Sequence, residues 1–475
     1  MQDVDEATAP RMTGGAPGSP PLRENDEGHI NPDFVAAVAE AIGRADGDRI
    51  RALMADLHEA DVGDLLEALE PQERPRLIEL LGRDFDFTAL TEVDDAVRED
   101  ILEELKAETV AEGVHDLDSD DAVSILEDLD EAERAEILDK LPAAERMALQ
   151  RSLDYPEDSA GRRMQTEFIA VPPFWTVGRT IDFMRETEDL PDTFYEIFVV
   201  DPAYHLCGTV PLDKLLRSKR PVRMGDIMSD EPDMVAATDD QEDVARVFQH
   251  YNLVSAAVVD ESNRLVGAIM IDDVVDVIEE EADEDLKALG GVHAEEELSD
   301  DVLYTVRSRF PWLLANMVAA LIASGVIRMF EDSLEKMIAL AVLMPIVASM
   351  GGNAGTQTMT VTVRALAARE IGRANAWRVI RRELCVGVLN GLCFALIMGA
   401  IAATWFKVAD LGFVIGLALL TVLSVAALGG ILIPLLLNRL GADPAVSSGP
   451  FVTTITDIVG FFAFLGIATL WFGLG

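Results

Sequence analysis

The sequence predicts a multidomain membrane protein in three parts: an acidic α-solenoid N-terminal domain, a tandem α/β domain, and an all-α transmembrane domain of five helices per subunit. Two internal repeats predict the first two parts, and five long apolar runs in the last third predict the transmembrane part. The chain of 475 residues is long enough for three or four domains of ordinary size.

The first repeat lies in residues 33–155. The segment from Asp61 to Leu81 recurs from Asp121 to Leu141 at a gapless offset of 60, and apolar residues occupy the same places in both copies. Apolar side chains at i, i+1 and i+4 in repeated units predict stacked amphipathic helix pairs. Residues 1–32 before them are polar and rich in Pro and Gly, and we expect a disordered tail.

The second repeat lies in residues 156–278. Ile197-Phe-Val-Val-Asp201 and the segment from Gly208 recur 59 residues later as Ala256-Ala-Val-Val-Asp260 and the segment from Gly267. Short apolar strands that alternate with amphipathic helices predict a pseudo-symmetric α/β pair. An acidic helical connector over residues 279–310 follows and leads to the membrane domain, residues 311–475.

Five spans are expected near 312–330, 337–363, 384–406, 411–437 and 450–474. Six arginines lie in the loop between the second and third spans, whereas the opposite loops are short and not Arg-rich. The positive-inside rule therefore predicts a cytoplasmic N-terminus and a C-terminus on the outside. No export signal precedes the acidic part, so we expect that part to stay in the cytoplasm.

The formal charge of −47 is unevenly distributed. Ten basic and eight acidic side chains follow Pro311, a net charge of +2, so residues 1–311 carry −49. Such a field repels nucleic acid, which we exclude as a partner, and attracts divalent cations. A halophilic or merely solvated acidic surface is the alternative explanation for the bulk of this charge.

The sequence contains no motif for a zinc site, for an enzyme or for ATP-driven transport. The three cysteines form no CxxC pair and the six histidines show no metal-ligand spacing, which argues against a zinc site. No nucleophile–base pattern indicates an enzyme. No GxxxxGK[ST] motif is present, so an electrochemical gradient would have to drive any transport.

Asp457 is an isolated carboxylate in the last apolar run, Pro450 to Leu474. Burying a charged side chain at membrane depth costs roughly 3 kcal/mol or more, so a carboxylate persists there only where it meets water, a partner or an ion. Asp457 therefore indicates an ion pathway or, alternatively, an interhelical hydrogen bond from a protonated Asp. Thr453 and Gly460 share its helical face. In the second span, Asn353 and Gln357 lie in a glycine-rich stretch, which is tolerated at membrane depth only against protein or water.

The α/β repeat resembles a tandem CBS domain, a module that commonly dimerises and binds adenosyl ligands. The chain resembles the MgtE family of magnesium channels over nearly its whole length after about residue 33, and three motifs carry this resemblance most specifically. They are Tyr155-Pro-Glu-Asp-Ser-Ala-Gly-Arg-Arg-Met164, Met344-Pro-Ile-Val-Ala-Ser-Met-Gly-Gly-Asn-Ala-Gly-Thr-Gln357 and Ser448-Gly-Pro-Phe-Val-Thr-Thr-Ile-Thr-Asp457.

The resemblance implies a homodimer in a bacterial cytoplasmic membrane, with membrane lipid and divalent cations as its partners and a plug helix in the connector. It implies a Mg²⁺-selective channel for magnesium influx that cytosolic Mg²⁺ closes by bridging acidic residues. The implied pore residues are Asp457, Asn353, Gly352 and Thr453. The implied regulatory Mg²⁺ ligands are Asp273, Asp276, Glu281, Glu284, Asp285, Asp240, Glu242, Asp116 and Asp120.

The sequence departs from the family pattern at several positions. Pro211 and Met270 stand where hydroxyl side chains hold a nucleotide, and Lys214 stands in place of an Asp, so ATP binding to the CBS pair is doubtful. Asn252 replaces an expected acidic residue, which weakens one bridging site. Two further alternatives remain: a cation-coupled Mg²⁺ carrier of the related solute-carrier type, which could also pass Co²⁺ or other divalents, and a sensor whose spans serve only as an anchor.

Overall fold

The computed structural model describes residues 22, 30–187, 190–191, 193–293, 296, 302–372 and 374–474. Most of the tail predicted over 1–32, part of the connector 279–310 and Arg373 of the Arg-rich loop lie outside the described residues. The chain forms two compact units, Met1–Glu280 and Glu281–Gly475. Each unit is described by itself below.

Within the described residues, the first unit begins with a helical domain of nine short helices. They are α1 (Pro32–Gly43), α2 (Gly47–Met54), α3 (Glu59–Ala68), α4 (Arg74–Leu81), α5 (Asp95–Glu104), α6 (Ala107–His115), α7 (Ser119–Glu127), α8 (Glu131–Leu138) and α9 (Ala143–Leu153). Short 3₁₀ turns at Gly82–Asp84 and Phe87–Leu90 join α4 to α5.

Side-chain caps explain where several of these helices begin. Asn31 accepts a hydrogen bond from the Asp33 amide at the start of α1, and Asp130 accepts from Ala132 and Glu133 at the start of α8. The α3–α4 pair and the α7–α8 pair coincide with the 60-residue repeat, and their apolar positions are buried in one core. The predicted stacked helix pairs are confirmed.

The tandem α/β domain is called the CBS pair below, after its resemblance to that module. Its described residues form two three-stranded sheets, ordered β1-β2-β3 and β4-β5-β6. In each sheet the first two strands are parallel and the last two antiparallel. The strands are β1 (Ala170–Val171), β2 (Glu196–Val200), β3 (Leu206–Pro211), β4 (Met234–Ala236), β5 (Ser255–Val259) and β6 (Leu265–Met270). The helices are α10 (Val177–Glu186), α11 (Leu212–Arg217), α12 (Met224–Ile227), α13 (Gln241–Tyr251) and α14 (Ile271–Gly290).

Both halves of the CBS pair have the same irregularity. The register shifts between Val199 and Val200 in one half and between Val258 and Val259 in the other. Apolar strands with β-branched residues form the buried centre of each sheet, as the pattern predicts. The predicted pseudo-symmetric α/β pair is therefore confirmed, and the structure adds that both halves share this register shift.

The second unit is helical. It contains α15 (Val302–Arg328), α16 (Glu331–Lys336), α17 (Ile338–Ala367), α18 (Ala376–Phe406), α19 (Ala409–Leu440) and α20 (Pro444–Phe472). All of these except the short α16 are long and apolar enough to cross a membrane, which confirms the five predicted spans. The first helix begins ten residues earlier than the expected span, because the helix continues through Pro311 into the polar segment before it.

α19 is largely buried and packs against α17, α18 and α20. Small residues permit this close packing. A Cβ atom added at Gly412 of α19 would lie 2.4 Å from the carbonyl oxygen of Gly399 on α18. Glycine at this position therefore allows the two helices to approach each other closely. α17 is an unbroken helix despite Pro345 and its glycine-rich stretch.

Candidate ion-binding sites

Asp457 lies on α20 and is half-buried in the single chain. Within the described residues its carboxylate has no hydrogen-bond or ion-pair partner, so the alternative of a hydrogen bond to another helix of the same chain finds no support there. One turn earlier, the Thr453 hydroxyl donates to the backbone carbonyls of Gly449 (3.0 Å) and Pro450 (3.1 Å). Gly460, one turn later, is buried against Val347 and Val422.

The glycine-rich stretch of α17 has two different faces. Gly351 and Gly355 pack against α19 and α20, since added Cβ atoms would lie 2.6 Å from Val422 and 2.7 Å from Val452. Gly352 has open space around it, and Asn353 is exposed. The same contacts place α17 against Thr456. Asp457 follows Thr456 on α20, so Asp457 and the residues Gly352 and Asn353 of α17 lie at a similar height along these two helices.

A second group of carboxylates lies where the helical domain meets the CBS pair. Asp120 at the start of α7 faces Asp273 at the start of α14, and both are half-buried. Burial raises the pKa of Asp120 well above its ordinary value, and Asp273 and Asp121 raise it further. Burial, together with Asp272, raises the pKa of Asp273 to about 7. These carboxyl groups therefore lie close together without enough positive charge to offset their repulsion.

Three more acidic residues belong to this group and were missed in the sequence. Burial raises the pKa of Asp121 to about 6, with Asp118, Glu92 and Asp272 adding to the effect. Glu92 comes from the turn before α5, and burial raises its pKa, with Asp276 of α14 raising it further. Only the tertiary contact brings these side chains from α14 together with those of the helical domain. We call Glu92, Asp120, Asp121, Asp272, Asp273 and Asp276 the junction carboxylates.

Polar contacts hold the two domains together beside the junction carboxylates. The Ser119 hydroxyl accepts a hydrogen bond from the Thr166 amide at 2.7 Å, and the Ser119 amide donates to Glu167 at 3.2 Å. Asp273 also accepts from the Met270 amide at 3.2 Å, which fixes the start of α14. Within the part of the chain that the structure describes, no three Asp, Glu, His or Cys side chains are arranged as a ready metal site.

The other nominated residues are more dispersed. Asp240 caps α13 by accepting from the Glu242 amide (3.0 Å), and the Glu242 side chain pairs with Arg246 (2.8 Å). Asp116 is exposed at the end of α6. Asn252 ends α13 in the left-handed conformation (φ 55°), which favours Asn over acidic side chains. Three nominated residues lie on the part of α14 in the second unit, namely Glu281, Glu284 and Asp285.

The nucleotide positions of the CBS pair are occupied differently from the family pattern. Pro211 ends β3 without a hydroxyl, and Met270 is buried. Glu196 at the start of β2 is held by Ser255 at 3.0 Å, and burial raises the pKa of its carboxyl group. Asp273 is engaged with the helical domain as described above. Pro211 and Met270 therefore supply no hydroxyl at the two positions where the family pattern has one.

Comparisons with known proteins agree with this architecture. Residues 344–467 match a family described as "Divalent cation transporter", residues 57–158 match "MgtE intracellular N domain" and residues 224–280 match "CBS domain". Together with the five apolar helices, these matches define a multi-pass membrane transporter of divalent cations.

Three proteins named "Magnesium transporter MgtE" are similar over most of the chain. The Enterococcus faecalis protein is 33% identical over 94% of this chain and 99% of its own length. The Bacillus subtilis protein is 30% identical over 88% and 93%, and the Thermus thermophilus protein is 37% identical over 69% and 72%. The chain belongs to the MgtE family of magnesium transporters, which is a transporter family and not an enzyme family.

Two solved structures resemble the first unit. The soluble part of a magnesium transporter is 27% identical, covers 53% of this chain and 98% of that chain, and gives a TM-score of 0.46. The cytosolic domain of the Mg²⁺ channel MgtE in complex with ATP is 28% identical, covers 51% and 99%, and gives a TM-score of 0.42.

Proposed function

We propose that this protein is a homodimeric, Mg²⁺-selective channel that admits magnesium down its electrochemical gradient and closes when cytosolic Mg²⁺ is high. The observation that carries this proposal is the approach of Asp120 in the helical domain to Asp273 in the CBS pair. Two half-buried carboxylates from different domains repel each other unless a cation or a proton lies between them.

Mg²⁺ suits this position because it prefers carboxylate oxygens and keeps part of its water shell. Bridging would draw the domains together, and loss of the ion would let the like charges separate them. The ligands we propose are those that the family resemblance implies, with Glu92, Asp121 and Asp272 as additional junction carboxylates. The implied set is Asp116, Asp120, Asp240, Glu242, Asp273, Asp276, Glu281, Glu284 and Asp285.

The pore of the proposed channel runs between the two subunits. One Asp457 from each subunit would attract hydrated Mg²⁺, and Thr453, Gly352 and Asn353 would line the same path through their polar or open faces. The proposed orientation has the N-terminus in the cytoplasm and the C-terminus outside, and it is supported by the positive-inside rule applied to the Arg-rich loop after α17. The proposed location, a bacterial inner membrane, is the one that the family resemblance implies. We assign ATP no role in this proposal, since Pro211 and Met270 supply no hydroxyl for a nucleotide and Lys214 replaces an Asp.

Single-channel recording from the purified protein in planar bilayers tests the proposal. We expect discrete Mg²⁺ currents that fall as cytosolic-side Mg²⁺ rises. Asp457→Asn should reduce the current at least about tenfold, because it removes the charge that concentrates the ion. Asp410→Asn is the matched control, since Asp410 is an exposed acid at the start of another span.

Three outcomes would contradict parts of the proposal. Saturable Mg²⁺ uptake without single-channel steps would favour the cation-coupled carrier instead. Undiminished flux through a correctly inserted Asp457→Asn protein would remove Asp457 from the ion path. A mass measurement in detergent that finds only functional monomers would rule out a pore between subunits.

A further inference from the structure

The helix α18 extends past the apolar run that it contains. It has 31 residues and is about 46 Å long at 1.5 Å per residue, whereas the hydrocarbon core of a bilayer is about 30 Å thick. The apolar run begins after Glu383, and residues 376–383 precede it. Arg381 and Arg378 therefore lie about 5 Å and 9 Å beyond the run, a depth that corresponds to the lipid headgroup region.

The positive charges of this extension are only partly compensated. Arg378 and Arg381 are exposed, and neither has an ion-pair partner among the residues that the structure describes. Arg382 differs from them, since it pairs with Glu383 at 2.9 Å. The first turn of α18 contains no acidic residue. Two guanidinium groups are thus left without an acid of their own, in a chain whose formal charge is −47.

One face of α18 continues from these arginines into the apolar run. At about 100° per residue, five side chains fall within a sector of about 80°, namely Arg378, Arg381, Leu389, Leu392 and Leu396. The three leucines are exposed. At this level α18 packs on α19 through another side, where Gly387 and Gly391 approach α19 closely. The face therefore carries cations at headgroup depth and exposed apolar side chains at the depth of the acyl chains.

Trp377 lies at the upper edge of this face. It precedes Arg378 and is one turn from Arg381, and its side chain is 74% exposed. An indole ring combines an apolar body with one N–H donor, which is why tryptophan is enriched at the headgroup level of membranes. The exposed indole therefore agrees with the depth assigned to the two arginines.

We propose that this face of α18 binds an anionic phospholipid. The headgroup phosphate lies between Arg378 and Arg381, and the acyl chains lie along Leu389, Leu392 and Leu396. Charge complementarity selects the headgroup, because two cations without acidic partners favour a headgroup with net negative charge over a zwitterionic one. The exposed leucines select a lipid over a free phosphate ion, which has no apolar part to place against them. This inference does not depend on Mg²⁺ transport or on its gating.

Quenching of Trp377 fluorescence tests this site in the full-length protein, reconstituted into phosphatidylcholine vesicles. Brominated phosphatidylglycerol, an anionic lipid, quenches the indole when it occupies the face, and brominated phosphatidylcholine is the zwitterionic comparison. The signal of Trp377 is the difference between wild type and Trp377→Phe. We expect phosphatidylglycerol to bind about 25-fold more tightly than phosphatidylcholine, since each arginine near a membrane surface contributes about fivefold.

Arg378→Gln combined with Arg381→Gln should abolish the preference for phosphatidylglycerol, and the corresponding double Lys variant should retain most of it because it keeps both charges. The other four arginines of the Arg-rich loop remain, so the orientation in the membrane is preserved.

Arg328→Gln combined with Lys407→Gln is the matched control. It makes the same change in charge in the loops at the opposite ends of the spans, where each cation has an acidic residue three positions away. The lipid preference at Trp377 should equal that of the wild type. Sodium phosphate should relieve quenching no more than NaCl at the same ionic strength.

Equal binding of the two brominated lipids to the wild type would overturn the inference. So would a preference for phosphatidylglycerol that survives in the double Gln variant, because the two arginines would then not be its source. Relief of quenching by phosphate beyond that by NaCl would indicate a site for a free anion instead of a lipid. Absence of quenching by either brominated lipid would mean that a second copy of the chain, and not lipid, covers this face.

Discussion

Ser255 donates a hydrogen bond to the carboxylate of Glu196 across 3.0 Å, and the two residues stand 59 positions apart, at equivalent places in the two halves of the CBS pair. Each begins the central strand of its sheet. A second pair with the same separation, His205 and Arg264, forms an isolated β-bridge immediately before β3 and β6. Residues related by the internal repeat thus meet each other on its pseudo-two-fold axis.

The Glu196–Ser255 pair should stabilise the contact between the two halves. Ser255→Ala leaves the half-buried Glu196 carboxylate with one donor fewer, which we expect to cost about 1–3 kcal/mol of unfolding free energy. In a Glu196→Gln background, Ser255→Ala should lower the unfolding free energy by less, because losing one hydrogen bond destabilises a neutral amide less than a charged carboxylate. Thermal unfolding of the four proteins measures the difference, with the exposed Ser262→Ala as control. Equal costs in both backgrounds would contradict the pairing.

The architecture could be predicted from the sequence because it is encoded in local, repeated patterns. Leu65 and Ile125, for example, are equivalent positions of the 60-residue repeat and both are fully buried. Spans of twenty or more apolar residues need no tertiary information either. The predicted domain boundaries within the connector stay predictions.

The junction could be predicted only in part. Asp120 and Asp273 were nominated through family resemblance, but Glu92 and Asp121 became candidates only once the fold placed them beside α14. Arg163 lies in the motif from Tyr155 to Met164, and the motif alone indicates no role for it. Its partners Gln241 and Glu280 are 78 and 117 residues away, a separation that no local pattern reveals.

Gly291 should be irreplaceable, whereas its neighbour Gly290 should not. Gly291 has a φ of +73°, and a Cβ there would lie 1.8 Å from Nε1 of Trp312 on α15. Gly291→Ala should therefore destabilise the second unit by on the order of 2 kcal/mol, from backbone strain and the displaced indole. The added Cβ of Gly290→Ala meets nothing closer than 3.8 Å, so this control should be nearly neutral.

Apparent melting temperatures of the purified variants in one detergent measure this difference. A second variant, Gly291→Ala combined with Trp312→Ala, removes the indole and leaves only the backbone strain. We therefore expect Gly291→Ala to lower the melting temperature less in the Trp312→Ala background than in the wild type. Equal melting temperatures for Gly290→Ala and Gly291→Ala would contradict the importance of the contact.

Glu127 should make the stability of the metal-free protein depend on pH. Burial raises its pKa from 4.5 to about 7, against the attraction of Arg163 and Arg162. The folded protein therefore holds the proton more tightly than the unfolded chain does. Stability from this group is greatest below about pH 4.5, declines as pH rises to about 7 and is constant above that.

Glu127→Gln should remove that slope, and at pH 8 we expect it to be as stable as the wild type or more so, by on the order of 1 kcal/mol. Melting temperatures of wild type and variant are measured in EDTA between pH 5 and pH 8. The difference between the two proteins at each pH isolates the effect of Glu127, because all other titrating groups are the same in both. The exposed Glu261→Gln serves as control. Parallel curves for Glu127→Gln and wild type would show that this carboxyl group does not titrate in that range.

The junction carboxylates should make closure specific for divalent cations. Asp120→Asn together with Asp273→Asn removes two carboxylates that face each other across the domains, so Mg²⁺ loses ligands and the domains lose repulsion. We expect the Mg²⁺-dependent change in protease protection to shrink at least about tenfold and the channel to stay conductive at high cytosolic-side Mg²⁺. Asp213→Asn, an exposed acid of the CBS pair, should behave as the wild type.

Matched salt separates bridging from screening. NaCl at the ionic strength of the MgCl₂ solution weakens repulsion between exposed charges but cannot join two carboxylates, so it should not close the wild-type channel. If NaCl closes it as well as MgCl₂ does, the acidity of the first unit is a solvated surface and the closing ion binds elsewhere. Normal closure of the doubly substituted protein would lead to the same conclusion, because the two carboxylates that carry the proposal would then be dispensable.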